Sequence, residues 1–150
     1  MIQRTLLKAL QQRLKDKKAI VLLGARQTGK TTLIEELTHE LPSVVSFTGD
    51  DPMVQHSLAN VGQEELKQLL GKAQVVVIDE AQRLDDIGVA AKLMIDQLHR
   101  KVILSGSSAL ELNSRIQEPL TGRKWTFHLY PITWGELVNH DGLLKARGRL

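Results

Sequence analysis

Gly24-Ala25-Arg26-Gln27-Thr28-Gly29-Lys30-Thr31 lies between an apolar run, Ala19 to Leu23, and a stretch carrying Leu33, Ile34, Leu37 and Leu41 at helical spacing. This strand, loop, helix order with G-x-x-x-x-G-K-[ST] spacing constrains the chain more than any other feature. The glycines let the backbone turn so tightly that successive N–H groups converge on phosphate oxygens. The helix beginning near Lys30 adds the positive end of its dipole. The pattern assigns Gly24, Ala25, Arg26, Gln27, Thr28, Gly29, Lys30, Thr31 and Thr32 to a nucleotide's phosphates. Lys30 is expected to reach the β- and γ-phosphates. The Thr31 hydroxyl is expected to bind magnesium, a hard ion that accepts few protein oxygens and keeps several waters.

The rest of the chain repeats the alternation. Residues 2–15 place Leu6, Leu7, Leu10 and Leu14 on one face of a helix, with Lys8, Arg13 and Lys15 on others. Such a helix is read as a cover for its own domain's core. Val44 to Phe47 reads as a strand, Asp50-Asp51-Pro52 as a turn, and helical material follows to about Leu70. Val75 to Ile78 is apolar without alternation, the pattern of a strand covered on both faces. Asp85 to Arg100 is predicted as a helix, Val102 to Leu104 as a strand and Trp125 to Leu129 as the last strand. Five strands alternating with helices imply an α/β, doubly wound, mainly parallel sheet with helices on both faces. Ligands are then expected at the carboxyl ends of the strands.

Asp79 and Glu80 end the buried run, where side chains leave the sheet at that edge. Downstream of a phosphate loop this is a Walker B pattern, with Asp79 assigned to metal and Glu80 to the water that attacks the γ-phosphate. Ser105, Gly106, Ser107 and Ser108 follow the next strand. One hydroxyl there can face the γ-phosphate or the attacking water, and Ser107 is the candidate. Ser107 or Ser108 can equally cap the following helix. Arg123, beside Gly122, is a candidate arginine finger acting on a neighbouring subunit's site, with an ion-pairing arginine as its rival and Arg115 as second choice. His39, His56, His99, His128 and His140 are too scattered to suggest a metal cluster.

Composition narrows the setting. The absence of cysteine rules out disulfides and thiolate zinc sites and fits a reducing, cytoplasmic compartment. No apolar run approaches the ~20 residues of a membrane span. The charge of +3 and aromatic content of 3% speak against an autonomous nucleic-acid reader. Lys15, Lys17 and Lys18, and Lys145, Arg147 and Arg149, read as solvated termini.

With these motifs in order, the chain resembles a bacterial and archaeal family of small ATPases in the AAA+ superfamily. The resemblance rests on Arg26-Gln27 within the phosphate loop, Asp50-Asp51, Asp79-Glu80-Ala81-Gln82-Arg83, Gly106-Ser107-Ser108, Gly122-Arg123, Leu129-Tyr130-Pro131 and Trp134. It implies sheet order 5-1-4-3-2, a glutamate beside Walker B that activates water, and ATP with Mg2+ as cofactors. Members of that family usually continue into a C-terminal domain. Residues 1–150 are therefore expected to be the ATPase core, with that domain absent and a partner protein or the missing domain as its client. The expected function is magnesium-dependent ATP hydrolysis. The alternative is a nucleotide-binding switch without efficient turnover, and a small-molecule phosphotransferase is disfavoured by the Asp-Glu pair. No Asn-Lys-x-Asp guanine motif is present.

Overall fold

The computed structural model of the chain describes residues 2–25 and 28–130. Arg26 and Gln27, the segment Thr133 to Asn139 expected to begin another helix, and the basic residues near Leu150 lie outside the described residues. In chain order the elements are α1 (Ile2–Gln12), β1 (Ala19–Leu23), α2 (Lys30–Thr38), β2 (Val44–Thr48), α3 (Pro52–Leu58), α4 (Gln63–Leu70), β3 (Val75–Asp79), α5 (Ile87–Asp96), β4 (Lys101–Gly106), α6 (Ala109–Ile116) and β5 (Lys124–His128). The five strands form one sheet in the order β2-β3-β4-β1-β5, every neighbouring pair parallel.

Side chains on successive strand residues feed two separate cores, because a strand's residues alternate between the faces of its sheet. Ala19, Val21 and Leu23 join Val76, Ile78, Val102 and Leu104 under α4, α5 and α6. Ile20, Leu22, Val77 and Ile103 pack against Leu10 of α1 and Leu33, Ile34 and Leu37 of α2. Each fully buried Leu, Ile or Val contributes roughly 1.5–3 kcal/mol, so covering both faces is what makes the unbroken apolar strands stable. β2, at the sheet's edge, is only half-buried and keeps the more polar sequence Val-Val-Ser-Phe-Thr.

Several element ends differ from the periodicity. The helical stretch expected to run to Leu70 is split: Ala59 to Gly62 separates α3 from α4, with Asn60 at φ 51 and its N–H donating to the Asp86 carboxylate at 3.1 Å. The helix expected over Asp85 to Arg100 spans only Ile87–Asp96. Asp85 and Asp86 are engaged with Arg115 and Asn60, and left-handed His99 (φ 56) turns the chain into β4. α3 begins as the Asp51-Pro52 pair implies. The Asp51 carboxylate accepts from the Met53 N–H at 2.9 Å, and proline takes the first turn, where no N–H is needed.

At the sheet's amino edge a partly buried lysine ties α1 to the strands. The Lys101 ammonium donates to the carbonyls of Arg13, Asp16 and Lys18 and to the Asp16 carboxylate at 3.1 Å. Trp125 of β5 donates its indole N–H to Asp16 at 2.7 Å, between the Arg13 guanidinium and the Lys18 ammonium on its ring. Partial burial raises the Asp16 carboxyl's pKa. The Lys18 N–H, Lys101 and Trp125 outweigh that and hold it below the usual carboxylate range.

Candidate functional site

β1 and β4 lie side by side, and the chain leaves them in opposite directions, β1 toward β2 through α2 and β4 toward β5 through α6. A crevice opens at the carboxyl end of such a switch point. Gly24 closes β1 there: its N–H donates to the Gly106 carbonyl at 3.2 Å, and a Cβ on it would sit 2.5 Å from the Leu129 carbonyl oxygen. Only glycine fits against the chain that leaves β5. Gly29, at φ 90, turns the loop into α2, and the Thr28 hydroxyl closes it by donating to the Ala25 carbonyl at 2.8 Å. Lys30, the first residue of α2, is buried, and its ammonium donates to the carbonyls of Gly24 and, at 3.2 Å, Ala25. Thr31 and Thr32 are exposed on the same helical turn.

Across the cleft, β3 delivers two carboxylates. Asp79 accepts through Oδ1 from the Ser105 hydroxyl at 2.5 Å and from the Glu80 N–H at 3.0 Å. Glu80 is left-handed (φ 49, ψ 45), a conformation that costs a non-glycine residue about 1–2 kcal/mol. The turn swings its buried side chain back toward β4. There Glu80 Oε2 accepts from the Ser107 hydroxyl at 2.8 Å and from Gln82 Nε2 at 2.7 Å. Gly29, Lys30, Thr31, Thr32, Asp50, Asp79 and Glu80 line one cleft of about 440 Å³. Asp50 enters it from the end of β2 with Arg83 Nε 3.5 Å from its carboxylate. The Thr31 hydroxyl and the Asp79 carboxylate both line this cleft, and oxygens of these kinds are the donor chemistry that Mg2+ selects.

The serines at and just beyond the end of β4 divide the work that the sequence left open. Ser105 holds Asp79, Ser107 holds Glu80, and Ser108 caps α6 by accepting from the Glu111 N–H at 3.3 Å. Gln82 is the residue that sequence reasoning passed over except as part of a motif. It is 3% exposed and spans Glu80 and Ser107, with Nε2 3.3 Å from the Ser107 hydroxyl. Its Oε1 is buried without a hydrogen-bond partner, a condition that costs about 1–3 kcal/mol. No periodicity announces this role, because only the 3-10 turn Ala81–Arg83 brings residues 80 and 82 onto one side.

Other candidates stand away from the cleft. Arg123 is at the amino edge of the sheet, its carbonyl accepting from the Ala19 N–H and its Nε pairing with the Asp96 carboxylate at 3.0 Å. It is an ion-pairing arginine within its own chain, on the opposite edge from its own phosphate loop. Arg115 donates through Nε to the Gln82 carbonyl at 2.7 Å and pairs with Asp85 at 3.2 Å. Among the described residues, no group of three or more His, Asp or Glu is arranged to hold a metal, and no helix is long and apolar enough to cross a membrane.

Comparison with known proteins agrees with this geometry. A family profile described as an AAA domain matches residues 16–138. An uncharacterised protein of Mycobacterium tuberculosis, and one of Mycobacterium bovis, are each 29% identical over 106 residues, covering 69% of this chain and 23% of the relative. The chain thus spans less than a quarter of the length of the curated relatives it matches. Among solved structures, it is similar to the Walker-type ATPase PABY2304 of Pyrococcus abyssi, at 19% identity and TM-score 0.57 over 97% of this chain and 57% of that one. RuvB of Thermotoga maritima shares the fold at 21% identity and TM-score 0.54, over 85% and 42% of the two chains.

Proposed function

Because the chain belongs to the AAA domain family, we propose that its cleft binds ATP with Mg2+ and hydrolyses the bond to the γ-phosphate. The observation that carries the reading is convergence: Lys30 and Thr31 of α2, Asp79 at the end of β3, Glu80 just after it and the end of β4 all meet at the switch point. Lys30 turns its ammonium from the loop carbonyls to the β- and γ-phosphate oxygens. Thr31 and Asp79 hold Mg2+, which when bound offsets the negative charge that grows on the phosphates. Ser105 keeps the Asp79 carboxylate aimed at that position. Glu80 orients a water and accepts its proton as the water oxygen bonds to the γ-phosphorus and the β–γ bridging bond breaks, releasing ADP and phosphate.

In this reading Ser107 steers Glu80 rather than contacting nucleotide first. Charge from Arg123 reaches a nucleotide only when a neighbouring copy presents it, in exchange for Asp96. A homo-oligomer, with a partner protein or a further domain as its client, is the setting this reading gives to such a cycle. Phosphate release from ATP with no added acceptor tests the reading. Magnesium-dependent release lost in Glu80→Gln supports it. Binding without release would leave a nucleotide switch, and release only with an added acceptor would make the chain a phosphotransferase.

A further inference from the structure

We propose that Gln82 is a positioning residue that sets the Glu80 carboxylate, and that Arg115 of α6 in turn sets Gln82. The proposal rests on the reading of Glu80 as the water-activating acid. Gln82 Nε2 lies 2.7 Å from Glu80 Oε2 and 3.3 Å from the Ser107 hydroxyl, which itself donates to the same Glu80 oxygen at 2.8 Å. The three side chains close a triangle around one carboxylate oxygen, and Gln82 is not on the cleft wall. It touches the acid and does not line the cleft.

The other end of the same amide explains why the residue is not simply filling space. Oε1 has no hydrogen-bond partner and faces Gly106, where an added Cβ would lie 2.6 Å from it and 3.0 Å from the Leu112 side chain. An apolar side chain of similar length, such as methionine, would occupy this pocket without burying an unpaired carbonyl. What methionine lacks is the Nε2 donor. The amide is therefore accounted for by its hold on Glu80 and Ser107, and Gly106 by the room it leaves for Oε1. The backbone of Gln82 is tethered separately. Its carbonyl accepts from Arg115 Nε at 2.7 Å, while Arg115 Nη1 lies 3.2 Å from Asp85. A displacement of α6 thus reaches Glu80 through Arg115 and Gln82 without touching the phosphate loop.

Gln82→Met provides the test, in two measurements. With Mg2+ and ATP, nucleotide affinity should stay within about twofold while phosphate release slows about tenfold or more, since a small misplacement of a reacting group is enough for that loss. Arg115→Ala should show the same split and should not add to Gln82→Met in the double variant. Gly106→Ala, which leaves the amide in place but crowds its carbonyl, should give the same loss by an independent route. Thermal unfolding of the nucleotide-free chain supplies the second measurement. Gln82→Met should lower the midpoint when Glu80 is present, because a buried carboxylate loses a donor. It should leave the midpoint unchanged or raise it in a Glu80→Ala background. An equal loss in both backgrounds, or wild-type turnover in Gln82→Met, would overturn the proposal. If the wild-type chain bound no ATP, the hydrolytic reading would fall, while the nucleotide-free cycle would still decide whether Gln82 and Glu80 are coupled.

Discussion

Gly49→Ala places a single methyl where the two acidic loops of the site press together. Gly49 is buried at the end of β2, and its N–H donates to the Asp79 carbonyl at 2.7 Å. A Cβ on Gly49 would lie 2.2 Å from the Glu80 carbonyl oxygen, 3.1 Å from the Glu80 carbonyl carbon and 3.2 Å from Arg83 Cβ. Two of these three neighbours are main chain and cannot swing aside, so one loop must retreat from the other. Overpacking of this kind costs about 1–3 kcal/mol. The retreat stretches the hydrogen bond to Asp79, worth about 0.5–1.5 kcal/mol. Together they predict a loss of about 1.5–4.5 kcal/mol, or a melting midpoint lower by about 3–18 °C for a chain of this length. Thermal unfolding without nucleotide measures it. Gly122→Ala serves as the comparison, since nothing lies within 4 Å of its Cβ and only the left-handed backbone (φ 73) is penalised, by about 1–2 kcal/mol. Because the displaced backbone carries Glu80, phosphate release should fall by a larger factor than ATP affinity. A Gly49→Ala chain melting within about 2 °C of wild type, with turnover intact, would refute the close approach of the two loops.

The two carboxylates of β3 should separate by function. Glu80→Gln should retain Mg2+-dependent ATP binding and lose turnover, whereas Asp79→Asn should bind ATP with little response to Mg2+. Equal behaviour in titrations with and without the metal would remove the distinction. For Arg123, the half-exposed pair with Asp96 predicts that Arg123→Ala loses no more than about 1 kcal/mol of stability. Mixing it with Lys30→Ala chains, each inactive alone, should restore phosphate release through interfaces that join an intact loop to an intact arginine. Full activity of Arg123→Ala by itself would confine the residue to its ion pair. Asp16 carries a pH signature. Its carboxyl is held below the unfolded value of about 3.9, so the stabilisation is present above that pH and is lost as pH falls through the depressed folded value. Asp16→Asn should therefore melt below wild type near neutrality, with the gap closing in acid. A gap that stayed constant down to pH ~3 would exclude the carboxylate's charge as its source.

What could be read from residues alone was the part that repeats. Val75 to Ile78 announces a strand buried on both sides, and the loop before Lys30 announces its own strand and helix, so the parallel sheet and the edge that bears the site were legible. Local geometry was not. The break at Asn60 and the early end of α5 depend on left-handed residues other than glycine, at Asn60 and His99; both residue types are enriched in that conformation but adopt it in only a minority of their occurrences, so the sequence does not mark these two. The division of labour among Ser105, Ser107 and Ser108 follows from strand register. Ser105 is the fifth residue of β4 and lies level with Leu22, and the strand must be placed before its hydroxyl can be set beside Asp79. Arg115 and Gln82 meet only because α6 packs over the turn after β3, a contact between residues 33 apart in sequence.

The proposed function requires this cleft to take ATP with Mg2+ through Lys30, Thr31 and Asp79. Isothermal titration of the purified chain with ATP, with and without Mg2+ and beside a Lys30→Ala chain of equal melting midpoint, tests it most directly. Saturable one-to-one binding that tightens with Mg2+ is expected, weakened at least about tenfold in Lys30→Ala by the loss of a charge-assisted contact to phosphate. Equal affinity of the two chains for ATP, or no heat of binding in either, would contradict it.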